Sequence, residues 1–563
     1  MVGNIASNRE YAMSANAAIY FEPEGYSISG PRLMGRNAAG YSFLNGYFEH
    51  AITESFTAFT PIPDRFEPFK AMAAAAGVTK PLHSVTPQNY ADLSQTGCLY
   101  LPGPGLGEHA WQRSLYGERS WSLCGITHTT LSGRAMEAIT GMLTAPVEPW
   151  DALICTSRSV RDTVRVLLEA EATFLSQRLG ATRFTLPRLP VIPLGIDTKA
   201  FSFSESTRRE ARLALGIGED AIVVLFVGRL SFHAKAHPAA LYDALQQARG
   251  KKEIILVECG WFANDFIGQA FDETANLLAP DIRRIILDGR DALNRERAWA
   301  SADIFSSLTD NLQETFGITP VEAMASGLPV VVTDWDGYRD SVRQGIDGFR
   351  IRTFQPPEGH GIELAKRHAI EADNYDHYCG LTSQLVAVDI QEAVTAFKAL
   401  FDDPALRRRM GEAGRARARS VFDWSVIIRR YQDLWLELEE ERRSSPSLPK
   451  TPARPHPWPA RMEPFTAFGS YATTELGPSL AIKRNKQRTE QQIASIRKLK
   501  SFTLGDRLVP PNEAFSEFLH LIPDNRPITI EDLTALAGMS AGAVVSAIAF
   551  GLKIGAFSVD AEP

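Results

Sequence analysis

Short, almost uniformly apolar runs rich in β-branched residues recur along this chain. The first series lies at 18–21 (AIYF), 98–102 (CLYLP), 122–128 (SLCGITH) and 152–157 (ALICTS). The second lies at 222–228 (IVVLFVG), 253–258 (EIILVE), 284–288 (RIILD), 303–308 (DIFSSL) and 329–334 (PVVVTD). Runs this short and this apolar suit strands covered on both faces of a parallel sheet. Between them stand segments with helical spacing, such as HPAALYDALQQARG and PVEAMASG. Strand–helix alternation of this kind predicts doubly wound α/β domains.

The alternation happens twice. A polar stretch, SFSESTRREARLALGIGED (202–220), separates the two series, and VIPLGID before it reads as the end of the first domain and a hinge. The expected fold class is α/β: two facing Rossmann-like domains, with ligands outside the carboxyl ends of the strands, plus a small C-terminal helical, winged-helix-like domain. After Trp424, VIIRRYQDLWLELEEERR predicts one long amphipathic helix, and SSPSLPKTPARPHPWPARMEP after it is a solvated, semi-rigid linker. The expected divisions are 1–195, an N-terminal Rossmann-like domain; 196–442, a second Rossmann-like domain with its closing helix; 443–477, a Pro-rich linker and docking segment; and 478–563, the small terminal domain.

In that terminal domain, 478–500 is basic and helical in pattern (Lys483, Arg484, Lys486, Arg488, Arg497, Lys498, Lys500). Residues 527–559 read as two helices with a turn at Gly538, then a short strand, similar to a helix-turn-helix core. A helix that reads DNA carries Arg, Lys, Asn or Gln at its exposed positions. SAGAVVSAIAFGLKIG offers almost only Ala, Val, Ser and Gly, so self-association through this domain is expected rather than DNA binding.

Bulk properties change this picture little. The chain has 563 residues, 44% of them hydrophobic and 22% charged, with a net charge of −7, as in an average soluble protein. Its five cysteines are scattered and never spaced C-x-x-C, which speaks against a disulfide framework or a structural zinc site and for small core residues. MVGNIASNREYAMSANAAIYF has no basic stretch followed by an apolar core, and no run reaches the roughly 18 apolar residues of a membrane span. The expected location is the cytoplasm, including its membrane face.

Candidate chemistry concentrates in NLQETFGITPVEAMASGLPVVVTDWDGYRD (311–340). Gly317 and Pro320 mark a loop entering a helix. Glu314 then sits in the loop and Glu322 in the first turns, with the free N–H groups of the helix start between them, where phosphate binds readily. Upstream, VGRLSFHAK places Gly228 at a strand end, Arg229 immediately after it and Lys235 a few residues on. Arg supplies a planar fork of donors and Lys a point charge, so the pair suits an anionic ligand. His128 lies in GITHTT (125–130), at the end of an apolar run, and Gly35, Arg36, Asn37 and Gly40 belong to a glycine-containing stretch, GPRLMGRNAAG.

The segment from Glu314 to Pro329 resembles the donor-site signature of glycosyltransferase family 4, E-x-F-G-x-x-x-x-E-A-M-A-x-G-x-P-V-V. Its members Glu314, Phe316, Gly317, Glu322, Ala323, Met324, Ala325, Gly327 and Pro329 are all present. The resemblance runs from about residue 15 to 440 and is strongest over 220–350. It implies a GT-B fold and a retaining, metal-independent transfer of a sugar from a nucleotide diphosphate to a glycan or lipid-linked acceptor. It also implies that Glu314 contacts the hexose hydroxyls and Glu322 the ribose, with Phe316, Gly317, Ile318, Thr319 and Gly228 around the donor. Arg229 and Lys235 would clamp the diphosphate and His128 would face the sugar, with Gly35, Arg36, Asn37 and Gly40 on the acceptor side. The chain departs from the family by one extra residue before Lys235, by Ala236 where a glycine is usual, and by lacking the usual Gly-Gly pair near residue 35.

No cofactor is expected, the nucleotide sugar being a substrate. Asp334-Trp335-Asp336 is the pattern that single-domain, metal-dependent glycosyltransferases use, but it follows the double-glutamate motif directly and is expected to be a plain loop. The rival readings are a nucleotide-sugar epimerase or phosphorylase of the same fold, and a sugar-nucleotide-binding regulator.

Overall fold

The computed structural model describes residues 16–27, 35–446 and 458–559. It divides into two compact units, Met1–Trp458 and Pro459–Pro563. The first unit holds two parallel sheets. One comprises β1 (Ala18–Tyr20), β2 (Phe56–Phe59), β3 (Leu82–Val85), β4 (Cys98–Tyr100), β5 (Ser122–Ile126) and β6 (Ala152–Ile154), in the order β3-β2-β1-β4-β5-β6. The other comprises β7 (Ile222–Val227), β8 (Ile254–Gly260), β9 (Arg283–Asp288), β10 (Ile304–Ser307), β11 (Val330–Thr333) and β12 (Gly348–Ile351), in the order β12-β11-β10-β7-β8-β9. Both have the strand order of a dinucleotide-binding sheet, which reverses between β1 and β4 in one and between β7 and β10 in the other. Ligands of such sheets sit at that switch point, beyond the carboxyl ends. Two Rossmann-like sheets followed by a smaller helical and antiparallel region match the expected fold class.

In these two sheets, three strands escaped the hydrophobic pattern. β3 and β12 lie at sheet edges and are only partly buried, so their sequences, LHSV and GFRI, are mixed. β2 is fully buried but spans only four residues, FTAF. A short antiparallel pair, β13 (Thr353–Phe354) with β14 (Ala387–Val388), brackets two helices, Ile362–Ala369 and Tyr375–Ser383.

Each sheet is pinned at a strand start by a carboxylate, wholly buried in the first sheet and partly exposed in the second. Asp151, just before β6, accepts from both guanidinium nitrogens of Arg113 (2.5 and 2.8 Å) and from the backbone N–H groups of Leu123 and Glu148 (2.8 and 2.9 Å). Asp303, just before β10, accepts from Val223 N–H (2.8 Å) and pairs with Arg208 and Arg212.

The chain crosses between the halves twice, and the crossings are stitched together. Ile196 N–H donates to Phe422 O (2.8 Å), Trp424 N–H donates to Ile196 O (3.1 Å), and the Thr198 hydroxyl donates to Asp423 (2.6 Å). The helix Trp424–Ser444 then places Trp424, Ile427, Ile428, Tyr431, Trp435 and Leu438 in the core under the first sheet, beside Phe43 and Tyr47.

The second unit has its own core, with β15 (Ala481–Arg484) between β16 (Ile528–Thr529) and β17 (Phe557–Val559) in an antiparallel sheet. Lys483 and Arg484 therefore lie on a strand where the charge pattern predicted a helix, because Ile482 is needed in that core. The helices Ile530–Leu536 and Ala541–Lys553 form the helix-turn-helix, whose second helix exposes Ala541, Gly542, Val545 and Ala549. Of the linker 443–477, residues 447–457 lie outside the described residues; Phe465, Phe468 and Tyr471 are exposed. All five cysteines are free and buried. Among the described residues no helix is long and apolar enough to cross a membrane.

Candidate donor site

The loops after β7 and β10 meet at the switch point of the second sheet, and they carry the predicted cations and the first glutamate. Gly228 ends β7 with φ 149°, and Gly260 packs so closely on it that a Cβ there would stand 1.9 Å from Gly228 O. The chain is thereby turned out of the sheet and Arg229 follows. Six residues on, Lys235 Nζ donates to Glu314 Oε2 at 2.5 Å, with both side chains largely buried. The extra residue in the loop does not take Lys235 out of the site.

Glu314 is held from several sides. Its Oε2 also accepts from the Tyr338 hydroxyl (3.4 Å), which is hydrogen-bonded to Ser307 on β10 (2.9 Å). Burial pushes the Glu314 carboxyl up, but the Lys235 ammonium and the N–H groups of Thr315 and Gly317 outweigh it and leave the pKa below the usual value. Glu314 is therefore a carboxylate at neutral pH. Tyr338 goes the other way: burial and the adjacent Glu314 charge raise it well above an ordinary phenol, so it remains a donor.

Arg229 differs from Lys235 in its company. Its guanidinium donates to Gln313 Oε1 (3.1 Å) and to Ala234 O (3.4 Å), both neutral. Gln313 in turn donates to Cys379 Sγ (3.4 Å) on the helix Tyr375–Ser383. A cation oriented by neutral acceptors keeps its charge for an anion.

The helix Ile318–Ser326 starts at Gly317, whose φ of +79° only glycine adopts without strain. A Cβ there would also stand 1.8 Å from the Tyr338 ring. This brings the helix start and its free N–H groups against Tyr338 and Glu314. Thr319 Oγ1 is buried at that start without a hydrogen-bond partner. Glu322 is half-buried one turn on; burial pushes it up to about 7, against the pull of Lys235 and Arg295. Phe316 is buried in the core, and the partly buried Ile318 packs against that core.

The first half contributes from across the cleft. His128 follows β5, and its carbonyl accepts from the hydroxyl of Thr315, the neighbour of Glu314 (3.3 Å). His128 and Gly40 line one cavity at the carboxyl end of the first sheet, with Tyr26, Tyr100, Ile126 and Trp424. Gly40 lets its helix lie against the chain at Gly25, where a Cβ would come 2.3 Å from Gly25 O. Asn37 donates to Glu24 O (2.5 Å), while Gly35 is exposed at the start of the helix Gly35–His50. The side chain of Arg36 and residues 30–34 lie outside the described residues.

The two carboxylates of Asp334-Trp335-Asp336 turn apart. Asp334 faces Arg350 (3.4 Å) and Arg339 (3.9 Å), and Asp336 accepts from the Ser157 hydroxyl (2.8 Å). Among the described residues no group of three or more His, Cys, Asp or Glu could hold a metal ion. Sequence reasoning missed Gln313 and Tyr338. Both lie within the motif region, but only the tertiary structure says that their side chains point at Arg229 and Glu314.

Residues 221–360 match the family model described as "Glycosyl transferases group 1". The chain is 30% identical over 263 residues to a D-inositol 3-phosphate glycosyltransferase of Geodermatophilus obscurus, covering 44% of this chain and 56% of that protein. It is 30% identical over 239 residues to a phosphatidyl-myo-inositol mannosyltransferase of Mycobacterium tuberculosis, covering 42% of this chain and 50% of that protein. The chain thus spans about half the length of the curated relatives it matches. Among solved structures it is similar to Anabaena Alr3699/HepE in complex with UDP, with a TM-score of 0.48 and 16% identity over 73% of this chain and 98% of that one.

Proposed function

We propose that this protein is a retaining glycosyltransferase that moves a hexose-type sugar from a nucleoside diphosphate to a glycan or lipid-linked acceptor without a metal ion. The observation that carries this reading is the meeting of Arg229, Lys235 and Glu314 at the β7/β10 switch point, inside the segment that matches the group 1 glycosyl transferases. In this reading the diphosphate lies at the start of the helix Ile318–Ser326, and Arg229 neutralises the charge that grows on it as the sugar leaves. Lys235 exchanges Glu314 for the phosphate, which releases the Glu314 carboxylate to the hexose hydroxyls. Glu322 takes the ribose. With no side chain among the described residues placed as a nucleophile, the departing phosphate oxygen accepts the acceptor's proton on the face where the new bond forms. Catalysis is then positioning and charge stabilisation. The acceptor enters from the side of His128 and Gly40, and the work is done in the cytoplasm or at its membrane face. A thermal-shift panel of UDP-, GDP- and ADP-sugars tests the core of the reading, because a ligand bound at 100 times its Kd stabilises by about 2.7 kcal/mol. A melting temperature indifferent to every member of the panel overturns it.

Arg229→Met is expected to weaken nucleoside diphosphate binding by roughly 10- to 100-fold, the worth of a hydrogen bond to a charged group. Chelation with EDTA is expected to leave turnover unchanged. Turnover lost in EDTA and restored by manganese would move the chemistry to Asp334 and Asp336 and defeat the metal-free mechanism.

The terminal unit has a core of its own. A chain ending at Trp458 is therefore expected to fold and bind its sugar nucleotide with unchanged affinity, while losing self-association. Calorimetry and size-exclusion mass on the two lengths decide this. A shortened chain that folds but binds no donor would make the terminal unit part of the active site.

A further inference from the structure

We infer that Asp336 is a positioning residue, which ties the approach of the two halves of the first unit to the placement of Glu314. The inference rests on the proposed role of Glu314. Asp336 lies in the turn between β11 and the short helix Tyr338–Ser341, at φ +37°; among the described residues only one other non-glycine, Glu371, has positive φ. A strained backbone persists where its surroundings fix it from several directions, and this turn is fixed on two sides.

Within its own half the turn is locked to the Glu314 loop. Trp335 is buried and its indole N–H donates to Asn311 O (3.1 Å). Gly337 lies so close to Phe316 that a Cβ would come 2.4 Å from Phe316 Cα. Tyr338, two residues beyond Asp336, holds Glu314 through its hydroxyl. The turn therefore cannot shift without moving residues 314–316.

On its other side the turn grips the first half. Ser157 caps the 22-residue helix Arg158–Leu179 by accepting from Val160 N–H (3.1 Å), and the same hydroxyl donates to Asp336 Oδ1 (2.8 Å). One turn later, Asp340 accepts from the Arg158 backbone N–H (2.7 Å) and from its Nε (2.6 Å). Thus two residues of the second half bind a helix start of the first, Asp336 through the capping Ser157 and Asp340 at a backbone N–H that has no intrahelical partner. The Thr156 hydroxyl extends the seam to Thr315 O (3.4 Å). Burial pushes Asp336 up to about 8, so at neutral pH the uncharged acid prevails and asparagine reproduces its acceptor oxygen.

Amide exchange of the ligand-free full chain at neutral pH tests the seam. Asp336→Ala and Ser157→Ala, one from each half, are expected to raise exchange over 314–318 by about tenfold, the loss of one buried hydrogen bond. Exchange over 254–260 should stay unchanged, and Asp336→Asn should behave as the parent. UDP affinity by calorimetry should hold in all three variants, while kcat falls in the two alanine variants alone. Unaltered exchange at 314–318 in both alanine variants, or an asparagine variant as impaired as the alanine one, overturns the inference. If Asp336→Ala fails to fold, Ser157→Ala carries the test by itself. Exchange needs no ligand, so a parent chain that binds none of UDP, GDP and ADP would overturn the proposed function while the seam is still judged.

Discussion

Glu314→Gln is expected to lower sugar transfer by about two orders of magnitude and, at the same time, to leave nucleoside diphosphate binding intact or tighter. Glutamine keeps the size of the side chain, removes its charge and turns one acceptor oxygen into an NH2 donor. A hydrogen bond to a charged group contributes about 1.5–3 kcal/mol, or tenfold to over a hundredfold in rate if it is made to the hexose in the transition state. Binding moves the other way for an electrostatic reason. In the free protein the Glu314 carboxylate holds Lys235 at 2.5 Å and would repel an incoming diphosphate. Without that charge, Lys235 meets the phosphate uncontested. Turnover and affinity measured on the same preparation give the answer. Full turnover in Glu314→Gln would end the assignment of Glu314 to the donor sugar, and a parallel loss of turnover and affinity would mark it as a general binding group.

Asp151→Ala is expected to be the most destabilising single change, costing roughly 3–5 kcal/mol, because it strands the wholly buried Arg113 guanidinium without its counter-charge. The same change also orphans the N–H groups of Leu123 and Glu148. For a half of this size, each ~1 kcal/mol is about 2–4 °C, so the first unfolding transition should fall by about 6–20 °C. Replacing Arg113 and Asp151 together with apolar residues should recover only part of this, since the two N–H groups remain unpaired. Differential scanning calorimetry reads the effect. A melting profile within a degree of the parent would show that the pair is not a structural anchor. Asp303 does the corresponding work in the second half, but half-exposed, and its loss is expected to cost less.

Much of this was legible in the order of residues, and for a common reason. Strands buried on both faces of a parallel sheet must be apolar along their whole length, so β1, β4 to β8, β10 and β11 stand out as runs, while β9 stands out through Ile285, Ile286 and Leu287 although it lies partly exposed at an edge. Glycines that must adopt positive φ or admit close neighbours, such as Gly317 and Gly228, punctuate the loops that leave those strands. Local chemistry therefore located the loop with Glu314, the helix after it and the cations after β7, because these are effects within a few residues of chain.

What depends on distant residues stayed hidden. β3 and β12 carry mixed sequences because they are only partly buried at their sheet edges, so some of their side chains meet solvent. Lys483 and Arg484 read as part of a basic helix until Ile482 found a core that needs a strand. The long helix from Trp424 follows the second series in the chain, yet its apolar face is used by the first sheet, since the chain returns across the cleft at Ile196 and Asp423. Asp334 and Asp336 could be taken from spacing alone for a pair of ligands; the tertiary structure turns one to Arg350 and the other to Ser157, 179 residues away. Hydrophobic period and turn chemistry act over one or two turns of chain, so the sequence alone determined most of the elements of the two parallel sheets and the loops that hold the candidate residues. Which side chains face one another across the cleft depends on how the halves pack, and only the tertiary structure decided that.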